Sequence, residues 1–219
     1  MRVVIAGGHG KIALRLTKLL AERDDTVIGI VRNPDHVEDV AAAGGEALVL
    51  DLEETAVEDV AAAMADADAV VFAAGAGPGS GAERKDTVDR AASVLLADAA
   101  EQAGVRRFVQ VSAMGLSRAE DPDVDPVFAA YLRAKDAADQ DVMARDGLDW
   151  TILRPGLLTD DPGTGKVQLA EDVGGGVVPR DDVATVLVAV LDRPDTAGHV
   201  YELVGGDTPV DEALDAQDA

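Results

Sequence analysis

The feature that most narrows the fold is a run of small residues wedged between an apolar strand and an amphipathic helix, Gly7-Gly8-His9-Gly10-Lys11-Ile12-Ala13, which directly follows Val3-Val4-Ile5-Ala6. Gly7 permits a tight turn, Gly10 lets a bound pyrophosphate approach the backbone, and Ala13 is small enough for the helix to pack closely on its strand. The unpaired N–H groups and positive dipole end of the helix then face the phosphates. A glycine pattern alone is weak evidence. Here it follows a strand, opens a helix and begins a βαβ unit, which is the context a dinucleotide-binding turn requires. Gly7, Gly8, His9, Gly10, Lys11 and Ile12 are therefore the expected phosphate-side cofactor contacts. His9 is read as a loop residue and not as a metal ligand, because no His, Cys or carboxylate cluster accompanies it; no metal site is expected.

Beyond the turn, short β-rich runs alternate with Ala-rich helical stretches. Strands are expected at 2–6, 26–31, 47–50, 69–74, 107–112 and 150–154, and helices near 11–23, 34–43, 57–65, 84–103 and 127–145. That alternation predicts an α/β fold, a doubly wound parallel sheet of Rossmann type flanked by helices. The continuous apolar run Val70-Val71-Phe72-Ala73 suits a strand buried on both faces. Right-handed crossovers give the strand order 3-2-1-4-5-6, with the ligand at the carboxyl ends where the order reverses. After Pro155 the pattern loosens into a loop at 160–165, a short hairpin up to Val178, a helix near 181–191 and a strand at 199–204. The 219 residues fit a single domain, with 155–219 as a small substrate-side extension.

The end of the second strand distinguishes cofactors. An NAD site wants an acidic residue there for the ribose 2′-hydroxyl. This chain has Val31-Arg32-Asn33, and the planar fork of Arg32 suits a 2′-phosphate, with Lys11 adding charge toward the phosphates. NADP(H) is the preferred expectation, with NAD(H) as the alternative. Asp51 and Leu52 would lie near the adenine, and Ala74 and Gly75 would offer a small-residue surface to the adenosine. Later in the chain, Tyr131 and Lys135 are four residues apart on an expected helix and so share a face. An ammonium beside a buried phenol pulls its pKa of ~10 toward neutrality, as a general acid/base requires.

Together the glycine turn, the Arg after strand 2, Ser112 ending strand 5, the Tyr131-x-x-x-Lys135 pair and Leu153-Arg154-Pro155-Gly156 resemble the atypical short-chain dehydrogenase/reductases. The nearest subgroup is that of small NAD(P)-binding, epimerase/dehydratase-like proteins, and the likeness extends to Pro179-Arg180-Asp181-Asp182-Val183-Ala184. The resemblance implies that Ser112 orients a substrate oxygen, that Tyr131 gives or takes a proton, and that Lys135 holds the nicotinamide ribose and lowers the Tyr pKa. It places Pro155 beside the cofactor. It also puts Asp89, within Val88-Asp89-Arg90, where active relatives carry the Asn that completes the catalytic set. The larger C-terminal region with which sugar-nucleotide epimerases grip their substrates is missing. Three functions fit: a reductase of small carbonyl or quinone-like substrates, a dinucleotide-binding sensor or scaffold, and an epimerase or dehydratase.

Charge constrains partners. Asp and Glu total 42 against 19 Lys and Arg, a formal net charge of −23, and only Lys11, Lys18, Lys85, Lys135 and Lys166 are lysines. So many like charges repel and favour a salt-loving host. They also repel nucleic acid and anionic membranes, and neither is expected as a partner. With no cysteine there is no disulfide framework and no thiol nucleophile. No apolar run approaches the ~20 residues that span a bilayer, and the N-terminus runs straight into a strand without the features of a cleaved signal, so a cytoplasmic location is expected. A small-molecule substrate is the expected partner, and the oligomeric state is left open.

Overall fold

The computed structural model describes residues 1–77 and 79–217. Its first half repeats a strand–helix unit: β1 (Arg2–Ala6), α1 (Lys11–Ala21), β2 (Thr26–Val31), α2 (Val37–Ala42), β3 (Glu46–Val49), α3 (Val57–Ala63) and β4 (Ala69–Phe72). Next come a helical turn, α4 (Ala82–Arg84), a π-helical stretch at Lys85–Ala91, α5 (Ala92–Ala103), β5 (Arg107–Val111), α6 (Pro126–Met143) and β6 (Asp149–Pro155). The remainder holds β7 (Leu157–Thr159), β8 (Lys166–Ala170), β9 (Val177–Pro179), α7 (Arg180–Leu191), β10 (His199–Gly205), β11 (Thr208–Pro209) and α8 (Val210–Asp215). The main sheet has the order β11-β8-β10-β6-β5-β4-β1-β2-β3. The expected 3-2-1-4-5-6 order is therefore present and parallel throughout, and β10 extends it as a further parallel strand beside β6.

Period-two alternation sorts the strands onto two cores. Val3 and Ile5 join Leu16, Val71, Leu187 and Tyr201 on the face covered by α1 and α7. Val4 and Ala6 join Met64, Phe72, Leu96 and Phe108 on the face covered by α3 and α5. A sheet covered on both sides explains why Ala69–Phe72 is wholly buried.

Three expectations change. No hairpin leads up to Val178: β7 pairs in parallel with β9 as a separate two-stranded sheet, while β8 runs antiparallel to β10 in the main sheet. The burial of β8 alternates as in a one-sided strand, but its partner lies about 35 residues downstream, where local pattern carries no information. The expected long helix at 84–103 is divided by the π stretch, which places Asp89 in the interior. Strand ends also shift by one or two residues. Thus β4 stops at Phe72, although Ala73 N–H still donates to the Ala6 carbonyl at 3.0 Å, and Ala74 has already turned its carbonyl toward Lys135. Among the described residues no helix is long and apolar enough to cross a membrane.

Candidate active site

The glycine turn is held by its own backbone. Gly8 N–H donates to the Ile30 carbonyl at 2.9 Å and Gly10 N–H to the Gly7 carbonyl at 2.7 Å. Two positions tolerate no side chain. Gly7 has φ +78°, and a Cβ there would sit 2.6 Å from Ala74 Cα; a Cβ on Gly8 would sit 2.6 Å from Gly29 Cα on β2. The turn is thus pressed between β4 and β2, and it delivers Gly10 as the N-cap of α1 without any side chain capping that end. The first N–H groups of α1 keep their donor capacity for an anion.

A cavity of about 370 Å³ opens beside the turn at the carboxyl ends of β1, β2 and β4. Of the expected cofactor residues, Gly7, His9, Gly10, Arg32, Asp51, Leu52, Ala74 and Gly75 line it. Gly8, Lys11, Ile12, Lys135 and Pro155 do not. Gly8 instead packs on Gly29, Ile12 joins the core under α1, and Lys11 Nζ pairs with Asp160 at 2.5 Å. The charge that Lys11 was expected to direct at the phosphates is directed at the loop after β7. His9 stacks on His36 with ring centroids 3.6 Å apart, and its Nε2 meets Asp39 Oδ2 at 2.7 Å. Among the described residues no cluster of potential metal ligands is present.

The far rim of the cavity carries a group that sequence reasoning missed. Glu53 accepts Arg32 Nη1 at 2.9 Å, Arg84 Nη2 at 2.6 Å and the Thr87 hydroxyl at 2.6 Å. The Arg84 hydrogen bond outweighs burial and, with the Thr87 hydrogen bond and the charges of Arg84 and Arg32, holds the Glu53 carboxyl below the usual carboxylate range. Arg32 and Glu53 lie in the loops after β2 and β3 and Arg84 ends α4, and no sequence spacing links them.

The second half of the site lies between α6 and the ends of β4 and β5. Lys135 is 4% exposed; its Nζ lies 3.2 Å from the Val111 carbonyl, 3.4 Å from the Ala74 carbonyl and 3.4 Å from Asp89 Oδ1. Asp89 is fully buried, and its Oδ2 accepts the Ala76 N–H at 3.2 Å. Tyr131, one turn before Lys135, stacks on Phe128, with Lys85 Nζ 5.4 Å from its ring centroid. The expected fall in the Tyr131 pKa is reversed. Burial raises it, and the carboxylates of Asp89 and Asp139 raise it further. The Lys135 ammonium is itself pushed down by burial, and its charge is balanced by Asp89.

The Ser112 hydroxyl donates to Asp139 Oδ2 at 2.9 Å. Asp139 is completely buried and also accepts Gln110 Nε2 at 2.7 Å and Arg154 Nε at 2.9 Å, while Gln110 Oε1 accepts the Ser93 hydroxyl. Burial pushes the Asp139 carboxyl up against the pull of Arg154 and the two hydrogen-bond donors. Asp139 was not singled out from sequence; its one signal is the i+4 spacing from Lys135 on the same helix. The structure thus pairs Lys135 with Asp89, one helical turn along α6 from Tyr131, and sets Ser112 on Asp139.

The family model described as NAD(P)H-binding matches residues 7–194. The chain is 37% identical over 215 residues to the uncharacterized sugar epimerase YhfK of Bacillus subtilis, covering 98% of this chain and 99% of that protein. Among solved structures, a Bacillus halodurans protein provisionally named as an NAD-dependent epimerase/dehydratase superposes with TM-score 0.89 at 34% identity, covering 99% of both chains. ChuY, an anaerobilin reductase from Escherichia coli O157:H7, superposes with TM-score 0.77 at 26% identity, covering 94% of this chain and 98% of that one. With its Rossmann sheet, its glycine turn and a family match spanning most of its length, the chain belongs to the NAD(P)H-binding family, proteins of the atypical short-chain dehydrogenase/reductase type.

Proposed function

We propose that the chain is an NADP(H)-dependent reductase of a small carbonyl or quinone-like substrate. The observation that carries the cofactor assignment is the guanidinium of Arg32 on the cavity rim, at the end of β2 where an NAD site would place an acid. The residues present suit a dinucleotide: an uncapped helix N-terminus, a turn built on Gly7, Gly8 and Gly10, and a hollow lined from Gly10 to Arg32 and Leu52. The bound nicotinamide would supply hydride. The chain's own residues would do the rest. Gly10 and the first N–H groups of α1 would hold the diphosphate, and Arg32 the 2′-phosphate. Tyr131, kept protonated by its surroundings, would give its proton to the substrate oxygen as negative charge develops there.

A second reading, a dinucleotide-binding sensor, is favoured by the balanced state of Lys135 on Asp89 and of Ser112 on Asp139. In that reading the two polar groups stabilise the core between α6 and the sheet and move no proton. An epimerase or dehydratase is the third, suggested by the name of the Bacillus relative.

Titration with NADPH and NADH, followed by turnover of a carbonyl and quinone panel, tests the proposal. Arg32→Glu exchanges a charge-assisted phosphate contact for repulsion, so NADPH affinity should fall at least tenfold, the equivalent of ~1.5–3 kcal/mol, while NADH affinity changes little. Equal losses for both cofactors would remove the NADP(H) assignment. Tight binding without turnover of any substrate would replace the reductase with the sensor.

A further inference from the structure

Two guanidiniums from separate segments converge on one carboxylate at the rim of the cavity. Arg32 follows β2, Arg84 ends α4, and both reach Glu53 Oε2, at 2.9 Å and 2.6 Å. All three residues line the hollow. Asp51, the other acid in this loop, does not share the pair: its Oδ1 accepts the Glu53 backbone N–H and closes the turn after β3. Thr87 secures the second Glu53 oxygen, so the carboxylate is held in place from the π stretch as well.

Convergent guanidiniums form a seat for a tetrahedral dianion, and here the seat is filled by the chain's own anion. We propose that Glu53 sets cofactor discrimination by holding Arg32 and Arg84 together and competing with the adenosine 2′-phosphate for them. The inference rests on the NADP(H) reading. It adds Arg84 as a second recognition arm and Glu53 as an internal competitor. A ribose 2′-hydroxyl is neutral and does not draw a guanidinium from a carboxylate. A 2′-phosphate carries nearly two negative charges and draws both, but it must do so beside Glu53, whose own charge repels it. Glu53 therefore weakens binding of 2′-phosphorylated ligands selectively, and Arg84 strengthens it selectively.

Calorimetric titration with 2′,5′-ADP and 5′-AMP, which differ at the decisive position, separates the roles. The wild type should bind 2′,5′-ADP more tightly. Arg84→Met should lose about ten- to a hundredfold in 2′,5′-ADP affinity and stay within about twofold for 5′-AMP. Glu53→Gln keeps an acceptor oxygen and deletes the charge, so it should tighten 2′,5′-ADP by roughly three- to tenfold and leave 5′-AMP unchanged. Retained 5′-AMP binding shows that each variant is folded. A Glu53→Gln protein that binds 2′,5′-ADP more weakly, or an Arg84→Met protein with full preference, overturns the inference while leaving the role of Arg32 standing. A wild type without preference, in which Arg32→Glu is also silent, overturns the NADP(H) reading and the inference with it.

Discussion

At the scale of single residues, the proton on Tyr131 is the best-defined chemical feature. Burial and two nearby carboxylates favour the neutral phenol, so its pKa lies above the ordinary value of ~10. The group is protonated across the physiological range, which suits a donor in the reductive direction and not a base in the reverse one. Tyr131→Phe keeps the ring and its stacking on Phe128. It should leave NADPH affinity nearly unchanged and lower kcat by about 10²–10⁴-fold. The reductive pH profile of the wild type should show no fall from this group until the pH exceeds ~10. A falling limb near neutrality would mean that the bound complex frees the Lys135 charge from Asp89. How much of this was legible follows from sequence distance. Tyr131 and Lys135 share a helix face, and Arg32 stands beside a recognisable strand end. Glu53, Arg84 and Asp139 act through partners that only the folded chain brings near. The sign of the Tyr131 shift could not be read either, because it is set first by burial and then by the charges of Asp89 and Asp139, all of which depend on the folded surroundings.

At the scale of elements, the phosphate turn and the sheet are one packing problem. A Cβ on Gly8 would press on Gly29 Cα at 2.6 Å, a contact between backbones that no rotamer change relieves. Gly8→Ala should therefore cost about 1–3 kcal/mol, the range of an overpacked core site. Urea unfolding should show it as a lower midpoint with an unchanged slope. An unchanged midpoint would mean that the turn floats free of β2. The six central strands were legible because burial on both faces writes a continuous apolar run, as in Ala69–Phe72. The extra strands were less so, since β8 and β11 complete the sheet through antiparallel pairings set by the chain's last third. The π stretch left no pattern at all; one extra residue per turn does not alter which residues are apolar.

For the whole molecule, the scarcity of cations shapes the surface. Arg145 is shared by Asp98, Glu101 and Asp141, Arg23 by Asp25 and Asp192, and Arg193 by Asp211 and Asp215. Salt acts on this in two directions. It screens these pairs, each worth at most ~1 kcal/mol when exposed, and it screens repulsion among the carboxylates left over. With a formal net charge of −23, repulsion is the larger quantity. The thermal midpoint should rise from ~0.1 M to molar KCl, where the screening length falls to ~3 Å. A flat or falling profile in a scan of KCl concentration would remove the salt-loving character expected from composition.

The covering of one sheet face by α1 and α7 together has a consequence in time. Their contact is tied by Arg15 to Asp181, 166 residues apart, and the apolar side of α1 shares its core with Val183, Val186 and Leu187. A ribosome adding ~5–20 residues per second takes roughly 8–33 s to cover that distance. Through that interval Leu16 and Leu20 lack their partners on α7, so the nascent first helix is the segment that chaperones would meet, and the fold locks only when the late helix emerges.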